Sequence, residues 1–99
     1  MDILSENIKQ IQSLCNRHKV IRLFAFGSVL TDNFGRNSDI VFVVDFSGVE
    51  LSNYARNYFD FKTSLENLLN RNIDLLENKA ITNPFLRRSI DNTKQLIYG

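Results

Sequence analysis

The residues best suited to chemistry lie in one stretch, Phe26-Gly27-Ser28-Val29-Leu30-Thr31-Asp32-Asn33-Phe34-Gly35-Arg36-Asn37-Ser38-Asp39-Ile40. A run of mostly apolar residues, Val20 to Phe26, stops at Gly27-Ser28. A polar turn follows, and Ser38-Asp39 leads into a second apolar run. Glycine lets a ligand approach the backbone closely, and a short helix opening at Ser28 would turn free N–H groups and a positive dipole end toward an anion. The Ser28 hydroxyl adds a further donor. Asp39, at the mouth of the neighbouring strand, offers the hard oxygen ligand that Mg²⁺ takes beside bound phosphates. A phosphate cradle beside a metal-holding carboxylate is what nucleotidyl transfer requires. A Gly-Ser pair alone also marks a plain strand-to-turn corner. The Ser38-Asp39 pair, nine residues after Ser28, makes the chemical reading the sharper one.

This spacing resembles that of the minimal nucleotidyltransferases, small proteins with the polymerase-β nucleotidyltransferase fold. Many of them act as antitoxins or companions of helical HEPN-domain proteins. The family pattern runs Gly-Ser, a turn, Asp-x-Asp on the next strand, and a third Asp on the strand after that. Gly27 and Ser28 match its first element and Asp39 its first carboxylate. Asp74, within Asn72-Ile73-Asp74-Leu75-Leu76, matches the third, and Asn83-Pro84 with Ile97-Tyr98 look like the final helix. The resemblance covers essentially the whole chain. It implies transfer of a nucleoside monophosphate from an NTP, ATP foremost, to a hydroxyl on a partner protein or another acceptor. Asp39 and Asp74 would be the catalytic carboxylates holding Mg²⁺, as one ion or two. Gly27 and Ser28 would bind the β- and γ-phosphates, with Arg36 a further candidate. The implied partner is a HEPN-type helical protein.

One position departs from the pattern. The second Asp of Asp-x-Asp falls on Val41. Asp45 lies on the same strand face as Asp39, but at ~3.3 Å per residue it stands roughly 20 Å away along the strand. Paired ions in a two-metal site sit about 3.5–4 Å apart, so Asp45 is expected to end the strand. Losing the bridging ligand costs about 3–5 kcal/mol of transition-state stabilisation, or roughly a thousandfold in rate. Thr31 and Asp32 also stand where the family often carries a basic residue and a glycine, and a carboxylate there repels a nucleotide unless a metal intervenes. The alternative expectation is therefore a degraded site on the same fold, serving as an antitoxin-like binding module.

The elements that must position these residues alternate along the chain. Leu4, Ile8, Ile11 and Cys15 form a helical stripe over 3–17 with Asp2 as N-cap. Strands are expected at 20–26, 40–46 and 73–77, and residues 28–37 form a turn or short helix. The longest helix spans 51–70, with Ser47 and Glu50 at capping-box spacing and Ser52 a competing start. Asn83-Pro84 open a last helix carrying Leu86, Ile90 and Ile97 on one face. The order α-β-α-β-α-β-α makes a small α/β (α+β) fold, a mixed three-stranded sheet flanked by helices. Residues 1–99 are expected to form a single domain.

Composition bounds the rest. At 99 residues, 43% hydrophobic and 23% charged, the chain is a small globular domain and not a disordered tail. A net charge of +1 argues against a dedicated nucleic-acid binder. One cysteine cannot form an internal disulfide. With no apolar run of membrane-spanning length and no signal-like start, the expected compartment is the cytoplasm. So short a chain has little surface beyond its core, so a larger activity calls for a partner; self-association stays open. Cys15 reads as core, and His18 as the end of the first helix. Arg87 and Arg88 read as a partner surface or a nucleotide contact. Tyr54, Tyr58, Phe59 and Phe61 read as chiefly core, with one ring left exposed.

Overall fold

In the computed structural model, which describes residues 2–99, the expected strands form with the expected bounds: β1 (Val20–Phe26), β2 (Ile40–Phe46) and β3 (Ile73–Glu77). β2 is apolar on both faces and takes the interior place that pattern favours, pairing antiparallel with β1 and parallel with β3. A fourth strand, β4 (Gln95–Tyr98), adds to the far side of β1, giving the order β3-β2-β1-β4. The sheet therefore has four strands where three were expected. The last helix stops before Lys94 instead of running to Gly99. The unpaired N–H and C=O groups along β1 offer Leu96-Ile97-Tyr98 a full set of hydrogen-bond partners, and four residues are too few to display a period.

The helices follow the same logic with local differences. The expected helix over 3–17 is two, α1 (Ile3–Glu6) and α2 (Ile8–Arg17). Asn7 breaks it at φ −118°, its Nδ2 donating back to the Ile3 carbonyl at 2.9 Å. Asp2 caps α1 as expected, accepting from the Ser5 N–H at 2.8 Å. α3 (Leu51–Leu69) starts after Glu50 with no side-chain cap, so neither Ser47 with Glu50 nor Ser52 plays the expected role. It ends on Asn70 at φ 53°, a left-handed position that asparagine tolerates. α4 (Pro84–Thr93) is capped by Asn83, whose Oδ1 accepts from the Phe85 and Leu86 N–H groups.

Helices α2 and α3 bury one face of the sheet in a core that includes Ile11, Cys15, Leu23, Phe42, Phe61 and Leu65. Phe59 is the exposed ring of the aromatic cluster. Burial pushes the Cys15 thiol up to about 12, which suits a core residue and no nucleophile. The two-residue alternation of β1 and β2 turns Phe24, Val41, Val43 and Asp45 to the opposite face. The end of α4 reaches that face, with Lys94 Nζ 4.4 Å from the centroid of the Phe24 ring. No helix among the described residues is long and apolar enough to cross a membrane.

Candidate functional site

Gly27 ends β1 and adopts φ +85°, which glycine enters without steric cost. A Cβ placed there would make only an ordinary contact with Val41 Cγ2 at 3.9 Å, so the backbone angle and not crowding asks for glycine. The next residues form a single 3-10 turn, Gly27–Leu30, as the sequence suggested. The turn is closed by Thr31, whose N–H and hydroxyl both donate to the Ser28 carbonyl at 2.9 Å. Ser28 is half-buried at its head, while Asp32 is exposed in the bend beyond it.

Register brings the other residues to the same place. Phe26 pairs with Val41, and Val41 pairs with Asp74, so three strands present these side chains in one row. Asp39 lies two residues before Val41 and continues the same face. Asp39 and Asp74 are thus diagonal neighbours across a parallel pair, about 7–8 Å apart at the backbone. Both are exposed, and among the described residues neither enters an ion pair. Val41 stands between them, half-buried against Gly27. The structure therefore gathers Gly27, Ser28, Asp39 and Asp74 at one end of the sheet, around a valine.

An all-oxygen pair of free carboxylates suits one hard divalent cation that completes its shell with water and phosphate oxygens. It falls short of two ions, because the side chain between the carboxylates is apolar. Among the described residues no three His, Cys, Asp or Glu side chains cluster as a metal cage.

Arg36 is exposed beside this rim and shares an open cleft of about 480 Å³ with Asp39, Glu66, Arg71 and Asn72. Arg71 is the residue that sequence reasoning passed over as part of a turn. Its Nη1 donates to the Gly35 and Ser38 carbonyls at 2.8 and 2.9 Å, and its guanidinium lies 4.4 Å from the Phe34 ring centroid. An arginine directly before the strand that carries Asp74 was the available signal.

Two expectations are corrected or placed here. Arg87 contacts no rim residue: it donates to Asn78 through both side chain and carbonyl, and pairs with Asp91 at 3.3 Å. It pins α4 to the segment after β3, which an early-helix arginine can do when its partner comes from outside the helix. Asp45 ends its strand as expected, its Oδ2 accepting from Arg22 at 3.4 Å and from Asn78 Nδ2 at 3.1 Å.

The family profile "Polymerase beta, Nucleotidyltransferase" matches residues 9–99. A Methanocaldococcus jannaschii protein, MJ1379, named for a proposed protein adenylyltransferase activity, is 32% identical over 103 aligned residues, which cover 99% of each chain. A solved structure described as a proposed minimal nucleotidyltransferase superposes with a TM-score of 0.73 at 31% identity, covering 96% of this chain and 95% of that one. A complex of tri-AMPylated Shewanella oneidensis HEPN toxin with its MNT antitoxin shares the fold. It has a TM-score of 0.66 at 16% identity, and the match covers 96% of this chain and 71% of that one.

Proposed function

This chain belongs to the polymerase β nucleotidyltransferase family, and from that premise we propose that it transfers AMP from ATP to a hydroxyl of a partner protein, with a helical HEPN-type chain as that partner. The observation that carries the reading is the placement of Gly27, Ser28, Asp39 and Asp74 at one end of the sheet, where β1 stops and β2 and β3 begin. The names of the M. jannaschii relative and of the HEPN complex support the acceptor and the partner.

In this reading the backbone around Gly27 and the Ser28 hydroxyl take the terminal phosphates of the nucleotide. Arg36, reaching from the adjoining turn, adds charge to that end. Asp39 and Asp74 are the residues that would hold Mg²⁺. When bound, the ion supplies charge neutralisation of the phosphates and a more acidic acceptor hydroxyl. The acceptor oxygen bonds to the α-phosphorus as the bond from that phosphorus to the bridging oxygen of the β-phosphate breaks. Pyrophosphate leaves, and the hydroxyl proton passes to water.

Val41 favours a second reading, in which the chain binds nucleotide and partner but no longer transfers AMP. Labelled ATP, Mg²⁺ and a HEPN partner, incubated with the wild-type chain and with Val41→Asp, separate the two. The first reading expects label on the partner with both proteins, about a thousandfold faster with the variant. Label transferred by the variant alone establishes the second. No label with either protein, together with no thermal shift on adding Mg-ATP, overturns both.

A further inference from the structure

We propose that Arg71 is a positioning residue that sets the distance between Asp39 and Asp74, and so the cation affinity of the rim; the inference rests on the reading of those two carboxylates as the cation site. Asp39 lies outside β2, in a connection that has one internal turn, Gly35 to Ser38, closed by Ser38 N–H to the Gly35 carbonyl at 3.2 Å and by Gly35 N–H to Ser38 Oγ at 3.0 Å. Such a turn holds its own shape but does not by itself fix where Asp39 stands against β3.

The residues on either side of Asp39 supply that constraint. Before it, the Ser38 carbonyl accepts from Arg71 Nη1; after it, the Ile40 N–H donates to the Asn72 carbonyl at 3.1 Å. Both anchors belong to the two residues that lead into β3, and Asp74 follows three positions after Arg71. One guanidinium nitrogen thus gathers both ends of the turn, and its plane rests on Phe34, a third point of the same connection. The bonds are charge-assisted, which makes them stronger than neutral pairs. Partners that orient metal-holding carboxylates change metal affinity or activity by about 10–100-fold when removed.

The test measures Mn²⁺ binding to the full chain in the presence of AMP-PNP, by electron paramagnetic resonance, alongside amide exchange without metal. Arg71→Ala is expected to weaken Mn²⁺ binding by about tenfold or more and to speed exchange over 35–40, while exchange in β1 keeps its wild-type rate. Arg71→Lys keeps the charge but lacks the flat surface that rests on Phe34, and is expected to fall between wild type and Arg71→Ala. Phe34→Leu removes the stack and leaves the donors, so it stays informative even if Arg71→Ala does not fold. Wild-type Mn²⁺ affinity in both Arg71→Lys and Phe34→Leu overturns the inference, as does unchanged exchange at Ile40 in a folded Arg71→Ala protein. An Asp39→Asn protein that binds Mn²⁺ as wild type does would instead sink the cation-site reading, while exchange over 35–40 continues to report on the latch.

Discussion

The two ends of β2 carry the same residue type on the same face and treat it in opposite ways. At the start, Asp39 is exposed, outside any ion pair among the described residues, and diagonal to an equally exposed Asp74. At the other end, Asp45 is largely covered and engaged by Arg22 and Asn78. Glu77, opposite Val44, accepts from the Tyr54 hydroxyl, and Arg87 ties Asn78 to α4. A carboxylate that has partners contributes to the fold. A carboxylate left free beside a glycine turn is available to a ligand. The contrast teaches that position along one strand, through what else converges there, separates a structural aspartate from a candidate functional one.

The largest effect expected is on the free end. Asp39→Asn should lower AMP transfer, measured in the Val41→Asp background where the signal is strongest, by about a hundredfold, the equivalent of about 3 kcal/mol. Its thermal midpoint should stay at or above that of its parent, because no ion pair is lost and one of three neighbouring charges is removed. Asp45→Asn should do the reverse. It disrupts the contacts to Arg22 and Asn78 and should cost about 1–2 kcal/mol in urea unfolding, with transfer unchanged. Loss of transfer in Asp45→Asn at wild-type stability would break the distinction between the two ends.

Smaller effects sharpen it. Arg22→Ala should cost only about 0–1 kcal/mol, because the arginine is half exposed and its pair is screened. At the same end, burial, then the hydrogen bond to Glu77 and the nearby Glu77 and Asp45 charges, push the Tyr54 hydroxyl from 10.0 up to about 12. The folded state thus holds that proton more tightly than the unfolded chain does. The stabilisation linked to it is fully present below pH 10 and is lost as pH rises through about 12. Ultraviolet titration of the phenolate should show this late tyrosine, and Glu77→Gln should bring its midpoint down without returning it to 10.0, since burial remains.

Much of the frame was legible along the chain. Ile40 to Phe46 is β-branched or aromatic at most positions, and such a run has one stable place, buried inside a sheet. Asn83-Pro84 opened a helix for a local reason, an oxygen acceptor followed by a ring with its φ already set. Other features were not local. Gln95 to Tyr98 continues a helical stripe as readily as it forms a strand, and the choice fell to the open edge of β1. The break at Asn7 likewise depended on where the chain before α2 packs. Arg71 read as a turn residue because its partners, Gly35, Ser38 and Phe34, lie more than thirty residues away.

By itself the sequence determined which residues could do chemistry, a glycine-serine corner and two aspartates on successive strands, and which one could not, the valine at 41. Those are matters of side-chain composition, and no folding alters them. Tertiary structure alone decided that the aspartates meet. The parallel register of β2 and β3 sets Asp74 beside Val41 and leaves Asp39 diagonal to it, and pairing between strands is chosen by contacts distant in sequence. It also decided that Asp45 would be spent on Arg22 and Asn78, and that Arg71 would hold the turn carrying Asp39.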